Sequence, residues 1–125
     1  MPSIQEALNL GDLLKYEAPN LYSRDLATVA SGQNLVLGTV VGRAPVTGKL
    51  SPIAPDAVDS SAEAVGVLAF SIDATAADRD DALLIARHAI VASHALDLPA
   101  GITPTQKATA IAQLTARGVL VRTSA

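Results

Sequence analysis

Two strongly apolar segments constrain the fold of this chain more than any other feature. NLVLGTVV (residues 34–41) carries apolar side chains at both odd and even positions, so a strand built from it has two buried faces. Gly38 within it marks a β-bulge or a close approach of another backbone. AVGVLAFSI (residues 64–72) has the same character, and LATVA (residues 26–30) precedes both. These segments predict a β-rich core.

The core must be aliphatic. Half of the 125 residues are apolar, yet only Phe70, Tyr16 and Tyr22 are aromatic, and there is no cysteine. A single domain of this length buries roughly two-thirds of its unfolded surface, so it needs neither disulfides nor a metal. Ligand pockets usually have aromatic walls. The composition therefore favours a structural domain.

Charge and hydropathy exclude two classes of partner. The net charge is −3, and the basic residues are scattered rather than gathered into the stripe that nucleic-acid binding requires. The N-terminus lacks the basic and continuous apolar regions of a signal peptide, and no apolar run approaches the ~18 residues of a membrane span. We expect a soluble chain with no nucleic-acid or membrane partner, which stays in the compartment where it is made.

The segment GRAPVTGKLS (residues 42–51) looks like a phosphate-binding loop but fails its spacing. Five residues separate Gly42 from Gly48 where that loop needs four, and Leu50 follows Lys49 where it needs Ser or Thr. Pro45 also removes one backbone N–H donor. We predict instead a hairpin turn between two strands.

No catalytic or metal-ligating set emerges from the sequence. His88 and His94 are six residues apart, which fits neither a helical pair nor a short-loop zinc pair, so we expect surface or interface histidines. The four aspartates of residues 73–81 lack the glycine and terminal glutamate of a calcium loop, and we expect a solvated loop at an element boundary. No serine lies in a G-x-S-x-G elbow. We predict a chain that is not an enzyme, with no catalytic residue, cofactor or metal.

The segment ALLIARHAIVASHALDL (residues 82–98) leaves helix and strand open. Its apolar residues Leu83, Leu84, Ile90 and Val91 have helical spacing, and alanine favours helix. Its β-branched pairs also fit a long strand. The pattern alone leans slightly to helix.

The next segment predicts a helix with defined ends. Thr103 is a candidate N-cap, Pro104 stands at the first helical position, and Gln106 completes a capping box. Gly118 supplies the left-handed residue that ends the helix. VLVRT (residues 119–123) predicts a short terminal strand.

The first 25 residues have a different character. Ser3 and Glu6 have the spacing of a capping box for a short helical turn ending near Gly11. The leucines and tyrosines that follow have no sustained period, and they require burial either in a partner or in this chain's own core. We predict an N-terminal arm of residues 1–25 and a domain of residues 26–125.

The motifs taken as a set resemble the head decoration proteins of lambda-type tailed phages. The resemblance covers nearly everything from Gly11 onward, and each motif alone is weak. The segments that carry it are GDLLKYE, LYSRDLATVASGQNLVLGTVVGR, TGKLSPIAP, SAEAVGVLAFSIDA and AIAQLTARGVLVR.

The resemblance implies an α+β fold class. This is a small β-rich domain of mixed strands, compact and barrel-like (β-tulip-like), with one C-terminal helix and an extended N-terminal arm. It also implies that residues 82–96 form a strand, against the slight lean to helix.

The resemblance further implies a homotrimer bound to the major capsid protein on the outer surface of the expanded phage head. There it would stabilise the virion against the pressure of packaged DNA, after assembly in the host cytoplasm. Another trimeric virion or tail β-module with this fold is the alternative.

The family's arm is mobile in the free protein and orders on the capsid by adding to a capsid strand. On that basis the expected capsid-binding residues are Leu10, Leu13, Leu14, Tyr16, Leu21, Tyr22 and Arg24.

Overall fold

The structure is a computed structural model, and it describes residues 10–17 and 23–123. That part of the chain contains ten strands and two α-helices. The strands are β1 (Leu14–Glu17), β2 (Arg24–Val29), β3 (Gln33–Leu35), β4 (Val40–Arg43), β5 (Leu50–Pro52), β6 (Gly66–Leu68), β7 (Ile72–Ala74), β8 (Arg79–Ile85), β9 (Ala89–Ala92) and β10 (Val119–Arg122). The helices are α1 (Leu10–Leu13) and α2 (Pro104–Ala116), and 3-10 turns occur at Ser60–Ala62 and Ser93–Ala95. The predicted β-rich α+β class with one long C-terminal helix is confirmed.

Five strands close into a barrel in the order β2-β5-β4-β6-β8. All neighbours are antiparallel except β2 and β5, which meet in parallel through the single pair Val29–Leu50. β2 and β8 form the longest ladder, from Arg24 opposite Ile85 to Val29 opposite Arg79. Closure removes the exposed edges of this sheet.

A second sheet has the order β1-β9-β10, with β9 antiparallel to β1 and parallel to β10. β3 and β7 form a separate antiparallel ribbon. β1 therefore lies at an edge, joined among the described strands to β9 alone.

The apolar residues form two cores, one on each side of the barrel wall. The inner core takes side chains from all five barrel strands, including Val41, Leu68 and Leu84. The outer core lies between the barrel, the second sheet and α2. It takes the residue adjacent to each of these three inner-core residues along the chain: Val40, Val67 and Ile85. Neighbouring residues thus face opposite cores, which explains why these strands are apolar on both faces.

The prediction of one continuous strand over residues 34–41 is wrong. The chain leaves the β3 ribbon, turns at residues 36–39 and enters the barrel as β4. Gly38 makes the turn possible, because its φ is +91° and a Cβ there would lie 2.1 Å from the Ala95 carbonyl oxygen. The predicted close approach at Gly38 is therefore confirmed. The apolar segment 64–72 divides in the same way into β6 and β7.

Residues 82–98 contain no α-helix and, apart from the 3-10 turn at Ser93–Ala95, no helical turn, so the slight lean to helix is wrong. The strand implied by the resemblance is confirmed for β8 and β9. Residues 86–88 turn the chain between these two strands. β8 pairs with both β2 and β6, and those backbone bonds close the barrel. Pairing and burial on two faces override the helix propensity of alanine.

The C-terminal helix follows its sequence signals. Thr103 Oγ1 accepts from the Gln106 backbone N–H at 3.1 Å, and Gln106 Oε1 accepts from the Thr103 N–H at 3.0 Å. Pro104 occupies the first turn, and Gly118 follows with φ +88°. The terminal strand β10 then joins β9, as predicted.

The resemblance of residues 42–51 to a phosphate loop has a structural origin. β4 and β5 form the predicted hairpin, closed by a hydrogen bond from the Ala44 N–H to the Lys49 carbonyl oxygen at 3.0 Å. Gly42 leaves space for the Ser61 carbonyl oxygen, which would lie 2.5 Å from a Cβ. Lys49 forms an ion pair with Asp78 at 2.5 Å. The glycines and the lysine of this segment therefore have structural roles in the hairpin and its contacts.

Candidate functional site

The structure describes two stretches of the predicted arm, residues 10–17 and residues 23–25. The first is docked on the domain, and Arg24 and Asp25 of the second begin β2. α1 leads directly into β1, whose residues Leu14, Tyr16 and Glu17 lie opposite Val91, Ile90 and Ala89 of β9. A register shift between Leu14 and Tyr16 interrupts the ladder. The attachment is therefore one short, irregular edge strand.

The structure brings three of the predicted capsid-binding residues together. Leu13 is fully buried in the outer core, and Leu10 and Leu14 pack partly buried against the same cluster. Tyr16 points outward and is 54% exposed. In this state the leucines are buried by their own domain, one of the two possibilities open from sequence.

The remaining predicted residues lie elsewhere or outside the described residues. Arg24 begins β2, away from the leucine cluster. Leu21 and Tyr22 fall outside the described residues, as do Ser3 and Glu6 of the predicted capping box. The arm boundary at residue 25 and the released state of the arm stay predictions.

An ion pair joins the two sides of residues 18–22. Arg24 Nη2 lies 2.6 Å from Glu17 Oε1, and Arg24 Nε donates to Glu17 Oε2 at 2.9 Å. The hydroxyl of Ser23, itself buried, donates to Glu17 Oε2 at 2.6 Å. We call Glu17, Ser23 and Arg24 the clasp. Because it links the end of β1 to the start of β2, the clasp helps to hold the arm on the domain.

The family model of the bacteriophage lambda head decoration protein D matches residues 3–119 of the 125. The chain belongs to this family. A comparison with curated protein sequences finds no significant match. Family membership gives the chain a capsid decoration role, as a structural component of the phage virion.

Across residues 10–17 and 23–123, no three His, Asp or Glu side chains come together as a metal-binding group. Neither α-helix in this part is long and apolar enough to cross a membrane. His88 and His94 are both exposed, and so are all four aspartates of residues 73–81, as the sequence predicts.

One exposed apolar residue of this head decoration protein was missed from sequence. Leu26 in β2 is 71% exposed and lies opposite Leu83 of β8 on the outside of the barrel. The alternation of side chains in LATVA could have revealed it. Because Ala27 and Val29 point into the inner core, Leu26 points to the opposite side of the strand.

The clasp predicts a pH-dependent stability. The pKa of Glu17 is lowered, chiefly because Arg24 hydrogen-bonds its carboxylate; burial opposes this, and Ser23 and the charge of Arg24 add to it. A lowered native pKa stabilises the fold above the unfolded value of about 4.3, and this contribution is lost as the pH falls through the native value. We expect E17Q to lower the free energy of unfolding by about 1–2 kcal/mol at pH 7.

Urea titrations at pH 7 and at pH 3 measure this effect, with E63Q as the control. Glu63 also pairs with an arginine, Arg117, but both side chains are 41–50% exposed, so E63Q should change stability by less than about 0.5 kcal/mol. The difference in the free energy of unfolding between wild type and E17Q should be smaller at pH 3 than at pH 7. A difference that is the same at both pH values would contradict a stabilising role for the ionised Glu17 carboxylate.

Proposed function

We propose that this protein binds the outer surface of the expanded phage head as a homotrimer and stabilises the shell against the pressure of packaged DNA. The family match carries the proposal. We further propose that the N-terminal arm, up to the end of β1 at Glu17, leaves its own domain and adds to a strand of the major capsid protein, while Arg24 and Asp25 stay paired in the barrel.

The weak attachment of the arm supports this transfer. α1 and β1 have four residues each, β1 has one described neighbour, and its ladder is irregular. The clasp is a single partly buried ion pair with one extra hydroxyl donor. Edge segments with few backbone bonds open at a lower free-energy cost than core elements.

The buried leucines make the transfer nearly neutral in free energy. Leaving the domain exposes Leu10, Leu13 and Leu14, and a fully buried leucine is worth about 2 kcal/mol. Pockets on an acceptor sheet would bury them again, while strand addition would replace the backbone bonds to β9. One apolar environment is exchanged for another, so a single arm should bind weakly.

A homotrimer overcomes this weakness. Once one arm is docked, the other two meet their sites at an effective concentration near ~1 mM, and avidity can rise by about 10²–10⁴. The spacing of the three acceptor strands would then select the expanded shell, if that spacing arises only on expansion.

Purified particles test the proposal. We expect the protein to sediment with expanded heads, to bind unexpanded procapsids and isolated tails much more weakly, and to keep heads intact under chelator or low-salt stress. Equal binding to procapsids and heads would contradict the selection of the expanded shell. Preferential binding to tails would instead favour a tail β-module.

A further inference from the structure

A charged cleft lies at the end of the barrel where β8 finishes. It has a volume of about 320 Å³, and its polar lining comes from Asp25, Arg43, Arg87, His88 and Arg117. These residues come from β2, β4, the β8–β9 turn and the C-terminal end of α2, so the cleft forms only in the folded chain.

Cations outnumber anions in this arginine cleft. Arg87 makes two hydrogen bonds to the Asp25 carboxylate, at 2.6 and 3.0 Å. Arg117 pairs with Glu63 at 2.9 Å, whereas Arg43 Nη1 donates to the neutral carbonyl of Gly48 at 3.0 Å. The three guanidinium groups of the cleft thus have only two carboxylate partners, Asp25 in its lining and Glu63 beside it. The excess positive charge suits an acidic partner.

His88 adds a strained backbone at the rim of the cleft. Its φ is +50°, the one left-handed residue other than glycine in the described chain. Such a conformation is unfavourable for a residue that carries a side chain, and strained residues cluster at functional sites. Gly118 makes room for it, because a Cβ there would lie 3.1 Å from the ring. The left-handed turn therefore holds His88 at the rim of the cleft.

An acidic loop lies at the opposite end of β8. Residues 73–81 carry four aspartates, all exposed, and the only cations paired with them are Arg79 and Lys49 among the described residues. Residues 75–77 are Thr, Ala and Ala, so the loop is narrow. β8 is seven residues long, which separates loop and cleft by roughly 20 Å.

We infer that the acidic loop of one copy (residues 73–81) docks in the arginine cleft of the next copy, with Asp80 facing Arg117. This inference rests on the proposed homotrimer and gives its contact. A contact between two clefts, or between two acidic loops, would place like charges against each other. Charge therefore favours contact between the loop of one copy and the cleft of another. Such a head-to-tail contact forms a closed ring when its rotation is 120°.

Charge reversal at two exposed positions tests the contact. D80K and R117E leave the Arg87–Asp25 pair intact. Sedimentation velocity over a concentration series should show a trimer for wild type and at least tenfold weaker assembly for each single variant. The double variant D80K/R117E restores opposite charges at every contact, and its assembly should recover. Added salt should weaken the wild-type trimer.

K107E and D97K are the matched controls, because they reverse exposed charges outside both surfaces. Both should assemble as wild type, and thermal melts should show all variants folded. A wild-type protein that stays monomeric, single variants that assemble normally, or a double variant that stays dissociated would overturn the inference. A head-binding assay distinguishes this inference from the proposed function. If the protein forms a trimer through this contact but does not bind phage heads, the decoration role is refuted and the trimer contact stands.

Discussion

Replacing Gly38 with alanine is expected to lower the free energy of unfolding by about 3–5 kcal/mol. The backbone there has φ +91°, which costs an alanine about 1–2 kcal/mol, and the new Cβ would lie 2.1 Å from the Ala95 carbonyl oxygen. The site cannot relax easily. The Gly38 N–H donates to Leu68 at 2.9 Å, and its carbonyl accepts from Asp97 at 2.8 Å. Since domains are stable by only about 5–15 kcal/mol, G38A should approach global unfolding.

The variant G32A separates the cost of the left-handed backbone from the cost of the steric clash. Gly32 has a similar φ of +87°, but a Cβ there meets nothing within 4 Å. It should therefore cost only about 1 kcal/mol. Chemical denaturation of both variants gives the comparison. If G38A were no less stable than G32A, the close approach of residues 38 and 95 would not exist as described.

Locking β1 to β9 is expected to weaken head binding by about 100-fold or more, the avidity that three free arms supply. Tyr16 and Ile90 are partners across the β1–β9 ladder, and the chain has no cysteine of its own. In Y16C/I90C, oxidation should join the two strands and keep the leucines in their own core. Reduction should release the arm. Co-sedimentation with expanded heads measures both states of one protein.

I90C alone, oxidised in the same way, is the control, because it cannot form the bond within one chain. It should bind heads equally with and without reductant. If the oxidised double variant binds as tightly as the reduced one, the arm does not need to leave the domain. The capsid would then contact the docked segment through its exposed side, including Tyr16.

The N-terminal leucines show where sequence reasoning reaches its limit. Their apolar character shows that they need burial, but a short segment without a sustained period does not say which surface supplies it. The structure shows which surface buries them when the segment is docked on its own domain, because Leu13 then lies in the outer core beside β9. The clasp could not be seen in the sequence either, because Glu17 and Arg24 are seven residues apart and meet only once β1 has joined the second sheet and β2 the barrel.

Signals that act within a few residues were sufficient on their own in this chain. The capping box at Thr103, the stop at Gly118 and the hairpin of residues 42–51 depend on local hydrogen bonds and backbone angles, which residue types fix directly. The doubly apolar segments likewise required strands buried on both faces. Sequence motifs also identified the family.

Pairing between distant segments was decided by the tertiary structure. The division of residues 34–41 between two sheets, the strand character of residues 82–85 and the gathering of three arginines in one cleft each depend on partners far along the chain. Their free energies come from burial and backbone bonds to those partners, and these exist only once the barrel has closed.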